Sequence, residues 1–210
     1  ARAKNRGTGT GAMEPVKPCI ELAEYTINHQ LDQILQDIFR REPDVIAFSC
    51  YIWNIEYIRY LIADLGKILP DVPIWLGGPE VYFDAAKVLG ELPEATGVMK
   101  GEGEATFAQL AGYYVEKLCE KGTDSGKIMP DGQACLDNIH GLVFRLPDGS
   151  LADTGVRRAM DMSRIPFPYK HMDIKDLEHR IIYYESSRGC PFSCSYCLSS
   201  IDKSVRFRSL

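Results

Sequence analysis

The chain has 210 residues, 45% of them hydrophobic and 25% charged, with a net charge of −5. This gives room for one good core and little more, in an ordinary globular composition. The acidic balance argues against nonspecific nucleic-acid binding, no apolar run approaches the roughly 18 residues of a membrane span, and no signal peptide opens the chain.

Residues 1–18 are rich in Gly, Lys and Pro, carry no periodicity and read as a flexible segment. Residues 19–27 alternate apolar with polar in their first half, which predicts a strand exposed on one face at a sheet edge. Asn28 is placed to cap a helix whose stripe is Leu31, Ile34, Leu35, Ile38 and Phe39. After Pro43, the run Asp44–Ser49 suits a strand buried on both faces of a parallel sheet. Asn54 is placed to cap the next helix, with the stripe Ile55, Ile58, Leu61, Ile62 and Leu65. Residues 72–76 predict a second buried strand, ended by Gly77-Gly78-Pro79. A helix over 84–92 leads to a strand at Thr96–Lys100, then Gly101-Glu102-Gly103-Glu104 and a helix from Ala105 to Lys117.

Strand alternating with helix at this rhythm predicts a Rossmann-like, flavodoxin-like parallel α/β sheet with helices on both faces, over residues 19–119. In such folds ligands bind outside the carboxyl ends of the strands, which gathers the loops at Ser49–Asn54, Gly77–Tyr82 and Gly101–Glu104 on one edge. Residues 120–179 read as a linker holding a β-hairpin, with 141–145 and 151–154 flanking Pro147-Asp148-Gly149-Ser150. Arg180–Tyr184 predicts the first strand of a second domain over 180–210.

Among other residues, the dispersed histidines His29, His140, His171 and His179 suit surface or capping roles. Trp53 and Trp75 suit core packing, with contact to a bound ligand a second option for Trp53, which follows a loop at a strand end. Tyr57, Tyr60, Tyr113 and Tyr114 suit helix surfaces, Cys50 the sheet interior, and Glu80 and Asp84 capping.

Cys190, Cys194 and Cys197 stand at C-x3-C-x2-C spacing in a loop opened by Arg188-Gly189. Three closely spaced thiolates suit an iron–sulfur cluster, and a 4Fe–4S cluster with three protein ligands keeps one iron open for a small molecule. A structural zinc site wants four closed ligands, and no further Cys or His follows Cys197. The scattered Cys19, Cys50, Cys119 and Cys135 do not make a disulfide framework. Reduced thiols point to a cytoplasm, with an anaerobe as the expected setting.

This motif, with Tyr196 before the third cysteine and the flanks Tyr184–Gly189 and Leu198–Ser200, resembles the signature of radical S-adenosylmethionine (SAM) enzymes. The resemblance implies a 4Fe–4S cluster on Cys190, Cys194 and Cys197, SAM on the open iron with Tyr196 against its adenine, an external electron donor, and cleavage of SAM to a 5'-deoxyadenosyl radical. It also implies that residues 180–210 begin a partial barrel, so that the chain is a fragment cut at both ends that does not turn over alone.

Three readings compete for the first domain. A dinucleotide fold is hinted at by Gly101-x-Gly103, but Thr106 stands where the third glycine belongs. A receiver or purely structural domain is a second option. The third is a cobalamin-binding domain: Ser49, followed by Gly77-Gly78 after the next strand, resembles domains of the methionine-synthase type. Small residues would let the cofactor's nucleotide tail approach the backbone, and Ser49 would hydrogen-bond it. Together with Gly-Glu-Gly-Glu, the hairpin and the cysteine motif, the pattern over residues 19–205 resembles the cobalamin-dependent radical SAM class. That resemblance implies Ser49, Tyr51, Asn54, Gly77, Gly78, Pro79, Gly101, Glu102, Gly103 and Glu104 as cofactor-binding residues, and cobalamin stacked between the two domains. It further implies methyl transfer to an unactivated carbon or phosphorus of a small-molecule or peptide substrate, with a non-methylating binding or docking module as the alternative. Two departures accompany it. No central first strand precedes residue 19, and the Asp-x-His-x-x-Gly loop that ligates cobalt in some relatives is absent.

Overall fold

The computed structural model describes residues 19–26, 28–121, 136–170, 172–179, 181–200 and 203–209. The expected flexible segment 1–18 and residues 122–135 of the expected linker lie outside them. The chain forms two compact units, Ala1–Arg157 and Arg158–Leu210.

In the first unit, α1 (Leu31–Arg40), β1 (Ile46–Ser49), α2 (Ile55–Ile68), β2 (Ile74–Gly77), α3 (Ala85–Glu91), β3 (Gly97–Met99) and α4 (Gly103–Lys121) follow the expected alternation. The hairpin β4 (Leu142–Arg145) and β5 (Leu151–Asp153) then returns to the same sheet. The strand order is β1-β2-β3-β4-β5, parallel through β3 and antiparallel beyond it. The sheet is therefore mixed rather than parallel, and the hairpin expected in a linker is two-fifths of it. The sequence marks the hairpin by its turn but not by its partner, because strand pairing is a long-range choice.

Alternation along the strands sorts the side chains onto two faces. Ile46, Ile74, Leu76, Val98 and Val143 meet α1, α2 and α3 in one cluster. Trp75, Met99, Leu142 and Phe144 meet Leu110, Tyr113 and Tyr114 of α4 in the other. Helices thus cover both faces, as expected. Tyr113 and Tyr114, expected on a helix surface, are 8% and 9% exposed because α4 turns that side onto Trp75. The Trp75 indole N–H donates to the Tyr114 hydroxyl (2.8 Å). Burial pushes the Tyr114 phenol up to about 12, and the bond from Trp75, which favours the phenolate, offsets only part of that rise. Tyr114→Phe is expected to cost about 1–3 kcal/mol in denaturant unfolding, since it strands a buried indole N–H. A loss under half a kcal/mol would show that Trp75 finds another acceptor.

Three local expectations change. Residues 19–26 form neither helix nor ladder. Tyr25 and Glu21 engage α1 instead, through Tyr25 Oη to Asp37 Oδ2 (2.5 Å) and Arg41 to Glu21 Oε2 (3.1 Å). The cap of α1 is Gln30, not Asn28, and the Gln33 side chain accepts from the Gln30 N–H (3.3 Å). β1 is not buried on both faces: Ala47 and Ser49 are exposed because β1 ends the strand order.

The second unit holds a 3-10 turn at Met162–Arg164, the short helix α5 (Ile174–Leu177) and a two-stranded ribbon. The ribbon pairs β6 (Ser187–Arg188) with β7 (Arg206–Phe207), antiparallel. Its first strand follows residues 181–184, where a strand was expected, because Tyr183 instead exchanges two hydrogen bonds with the Tyr169 hydroxyl (3.0 and 3.1 Å). Arg206 and Arg208 donate to the carbonyls of Met160 and Ile165, fastening β7 to the turn. Among the described residues no helix is long and apolar enough to cross a membrane.

Candidate functional site

The loops after β1, β2 and β3 lie at the carboxyl ends of three neighbouring parallel strands, so the residues expected to bind cofactor in the first unit share one edge of the sheet. Ser49 stands directly beside Gly77 and Ala47 beside Trp75 in the register. Register partners share a face, so Ala47, Ser49 and Gly77 make a strip of small side chains on the face that α4 covers farther along, over Trp75. Ala47 and Ser49 are exposed and Gly77 half-buried. A flat ligand segment can lie on this strip against the sheet without meeting a large side chain. Ala47 was not singled out in the sequence; its signal was its place two residues before Ser49.

The first two loops cross backbone against backbone. Gly78 has φ +109°, and a Cβ there would lie 2.5 Å from the Cys50 carbonyl oxygen and 3.0 Å from the Cys50 nitrogen. The Glu80 N–H donates to that same carbonyl (3.3 Å), and the Cys50 N–H donates to Gly77 O (2.7 Å). Gly78 is therefore required by the crossing itself. Pro79 sits in the turn that the crossing forms.

Asn54 precedes α2 but makes no capping bond to it. Its side chain instead binds its own loop, Oδ1 accepting from the Tyr51 N–H (2.7 Å) and Nδ2 donating to Ser49 O (2.9 Å). This clamp shapes the turn that carries Tyr51, whose ring stacks on Trp53 at 4.6 Å and 7°. Trp53, expected by default in the core, is 66% exposed, so the pair is a surface platform beside the strip.

Gly101 has φ +69° and open space where a Cβ would stand. α4 begins at Gly103, two residues earlier than expected, so Gly103 and Glu104 belong to its first turn. Glu104 there supplies the negative charge a helix N-terminus favours, which makes this loop a poor receiver for a second anion. Beneath it Thr106, fully buried, donates to His140 O (3.1 Å) and accepts from Arg157 Nε (2.9 Å).

Cys50 is fully buried, as expected, and burial pushes its thiol up to about 12. Cys190, Cys194 and Cys197 are half-buried, all on one loop of the second unit. The Cys197 N–H donates to Cys194 O (3.2 Å), folding the last two into one turn, with Tyr196 91% exposed on it. Among the described residues, no three Cys, His, Asp or Glu side chains stand close enough together to hold a metal. At pH 8 iodoacetamide is expected to label Cys190, Cys194 and Cys197 in the folded apoprotein and to spare Cys50, which stays protonated and inaccessible. Labelling of Cys50 at a matching rate, read by peptide mass spectrometry, would show that the loop crossing opens.

Residues 19–111 match the family model described as the B12 binding domain. The anaerobic magnesium-protoporphyrin IX monomethyl ester cyclase of Rubrivivax gelatinosus is 24% identical over 172 residues, 79% of this chain and 29% of that protein. The cobalamin-dependent radical SAM methyltransferase TokK of Streptomyces tokunonensis is 28% identical over 165 residues, 74% of this chain and 22% of that protein. The hopanoid C-3 methylase of Methylococcus capsulatus is 27% identical over 193 residues, 85% of this chain and 32% of that protein. The chain thus spans less than a third of the length of each of these relatives. Residues 19–111 thus match a B12-binding domain, and the chain is similar over most of its length to proteins named as a cobalamin-dependent radical SAM methyltransferase and as a magnesium-protoporphyrin IX monomethyl ester cyclase.

Proposed function

We propose that this chain is the cobalamin-binding and cluster-bearing portion of a radical SAM methyltransferase acting on an unactivated carbon or phosphorus centre. The observation that carries the reading is the strip of Ala47, Ser49 and Gly77 beside the Gly78 crossing, small enough for a nucleotide tail to reach the sheet. The residues fit the cofactor: Ser49 offers a hydroxyl at the open end of the strip, Asn54 fixes the loop that presents it, and Tyr51 with Trp53 offers a flat apolar surface for a macrocycle. Cys190, Cys194 and Cys197 supply the ligand number and type that a SAM-binding 4Fe–4S cluster takes, and gathering them needs movement only within one loop. Tyr196 would lie against the adenine of SAM. When bound, cobalamin would supply the methyl group and the cluster, fed by an external electron donor, the radical that draws it onto substrate. We place the protein in the cytoplasm, with no nucleic-acid or membrane partner.

A second reading has its own support: relatives named as magnesium-protoporphyrin IX monomethyl ester cyclases stand beside those named as methyltransferases, so the same two units can serve a protein that does not methylate.

The test is anaerobic titration of the full-length protein with hydroxocobalamin, followed by gel filtration. Stoichiometric retention of the corrin absorbance is expected, and Cys194→Ala is expected to abolish the absorbance of a reconstituted cluster while leaving cobalamin retained. Failure to retain cobalamin, with an intact cluster, would remove the methyl-transfer reading; a cluster that survives Cys194→Ala would remove the ligand assignment.

A further inference from the structure

The third loop of the ligand edge, Gly101–Glu104, is held at its two ends. A Cβ at Gly101 or Gly103 would meet nothing within 4 Å, so no neighbour crowds the turn there. Its start is tied to the sheet: the Lys100 N–H donates to Gly141 O (2.7 Å), and the Lys100 ammonium pairs with Asp153 Oδ1 (2.5 Å). Its end runs into the first turns of α4, where Thr106 is a fully buried polar side chain.

The topology brings a second set of residues under that turn. β4 starts opposite the end of β3, Leu142 against Met99, and β5 ends beside the start of β4, Asp153 against Val143. Residues 139–141 and 154–157 therefore meet at the carboxyl end of β3. The Thr154 hydroxyl donates to Ile139 O (2.8 Å) and accepts from the Leu142 N–H (2.8 Å), and the Gly141 N–H donates to Gly155 O (3.2 Å). Gly141 has φ +90°, and a Cβ there would lie 3.0 Å from Thr106 Oγ1. The space it leaves admits the Thr106 hydroxyl, which donates to His140 O (3.1 Å). Arg157 completes the arrangement. Its Nε–H is shared between Thr106 Oγ1 (2.9 Å) and His140 O (3.2 Å), and a terminal nitrogen donates to Gln109 Oε1 farther along α4. A guanidinium presents its donors in a fixed fork, and its charge strengthens each bond.

We propose that Arg157 is a positioning residue for cobalamin: acting through Thr106, it fixes the first turn of α4 and so the pose in which Gly101–Glu104 meets the cofactor. The inference rests on the cobalamin reading above. Arg157 lies outside the residues that match the B12 binding domain, so a side chain from beyond β5 completes the ligand edge. The glycines give the reason for such a grip. A turn built on Gly101 and Gly103 has the most backbone freedom to lose, and fixing it in advance removes that cost from binding.

Two readouts in the full-length protein test it, and the first needs no ligand. By the i→i−4 pattern the amides of Phe107 and Ala108 bond the carbonyls of Gly103 and Glu104, so their hydrogen exchange reports whether the first turn holds. Arg157→Met, which keeps an unbranched stem and removes the donors, is expected to speed exchange at Phe107 and Ala108 about tenfold and to leave Trp75 and Leu76 of β2 unchanged. The second is anaerobic titration with hydroxocobalamin, in which the same variant is expected to bind about tenfold more weakly. Thr106→Val is expected to reproduce both effects, and Thr106→Ser, which keeps the hydroxyl, to leave both near those of the unaltered protein. The double variant Arg157→Met/Thr106→Val is expected to be no worse than either single one, since the two side chains act together. Unchanged exchange at Phe107 and Ala108 overturns the idea, as does acceleration spread equally to Trp75 and Leu76, which marks a plain loss of stability. Faster exchange with undiminished affinity overturns the positioning role. A protein that retains no cobalamin before any substitution overturns the cobalamin reading and this role with it, whereas failure of the role alone leaves that retention intact.

Discussion

Gly78→Ala is expected to destabilise the first unit by about 3 kcal/mol or more, among the largest effects of any single methyl group in this chain. Two costs add. The φ of +109° is one that an alanine rarely adopts, and the new Cβ would stand 2.5 Å from the Cys50 carbonyl oxygen. That oxygen belongs to a backbone fixed by two bonds, Cys50 N–H to Gly77 O and Glu80 N–H to Cys50 O, so it cannot step aside cheaply. Gly77→Ala is the matched control. Its Cβ would meet only Met99, at 3.8 Å from Cβ in ordinary contact and at 3.3 Å from Cε, the movable end of a flexible side chain, so a loss under about 1 kcal/mol is expected. Urea unfolding of both variants separates the two roles of the Gly-Gly pair. Equal losses would mean that the crossing relaxes and that Gly78 is not its keystone.

Ser49→Trp is expected to weaken cobalamin binding by at least a hundredfold, about 2.7 kcal/mol, while leaving the melting temperature almost unmoved. Ser49 is exposed, so a larger side chain displaces no core atom. It stands beside Gly77 on the small-residue strip, so an indole there fills the space a nucleotide tail would use. Anaerobic titration by corrin absorbance gives the affinity and calorimetry the fold. Undiminished affinity with a normal melting profile would move the tail off this strip. Gly78 cannot serve as this probe, because its replacement damages the fold before it reaches any ligand.

Much of the first unit was legible because its signals are local. The stripes of α1 and α2, the short apolar strands, the Asp148-Gly149 turn and the loops at the strand ends all depend on neighbours within a dozen residues. What escaped depends on partners far away. Arg145 and Leu151 read as a hairpin, but that β4 pairs with β3 follows from Gly97, whose missing side chain lets Trp75 and the Val143 carbonyl close in. Tyr114 reads as one polar position on a helix until Trp75, 39 residues earlier, needs an acceptor. Of the candidate site, Ser49, Gly77 and Gly78 were legible from residue size and spacing. The Tyr51–Trp53 stack was not, because a tryptophan beside a strand is more often core, whereas this one is exposed and stacks on Tyr51. In the second unit the cysteine spacing was plain, whereas the ribbon began after Tyr184 because the Tyr169 hydroxyl claims the backbone of Tyr183.

The return of the hairpin to the sheet also decides where this protein can be cut. The family match ends at residue 111, inside α4, yet the sheet runs on to Asp153. A recombinant piece made to the match would strip β4 and β5 from β3, bare the Trp75 side of the core, and leave a sticky margin where Leu142 and Phe144 had been. It would also drop Arg157, whose side chain buttons the end of the unit to Thr106, Gln109 and His140. A soluble excised domain should therefore end after Arg157, and precipitation of shorter versions would say nothing about the ligand.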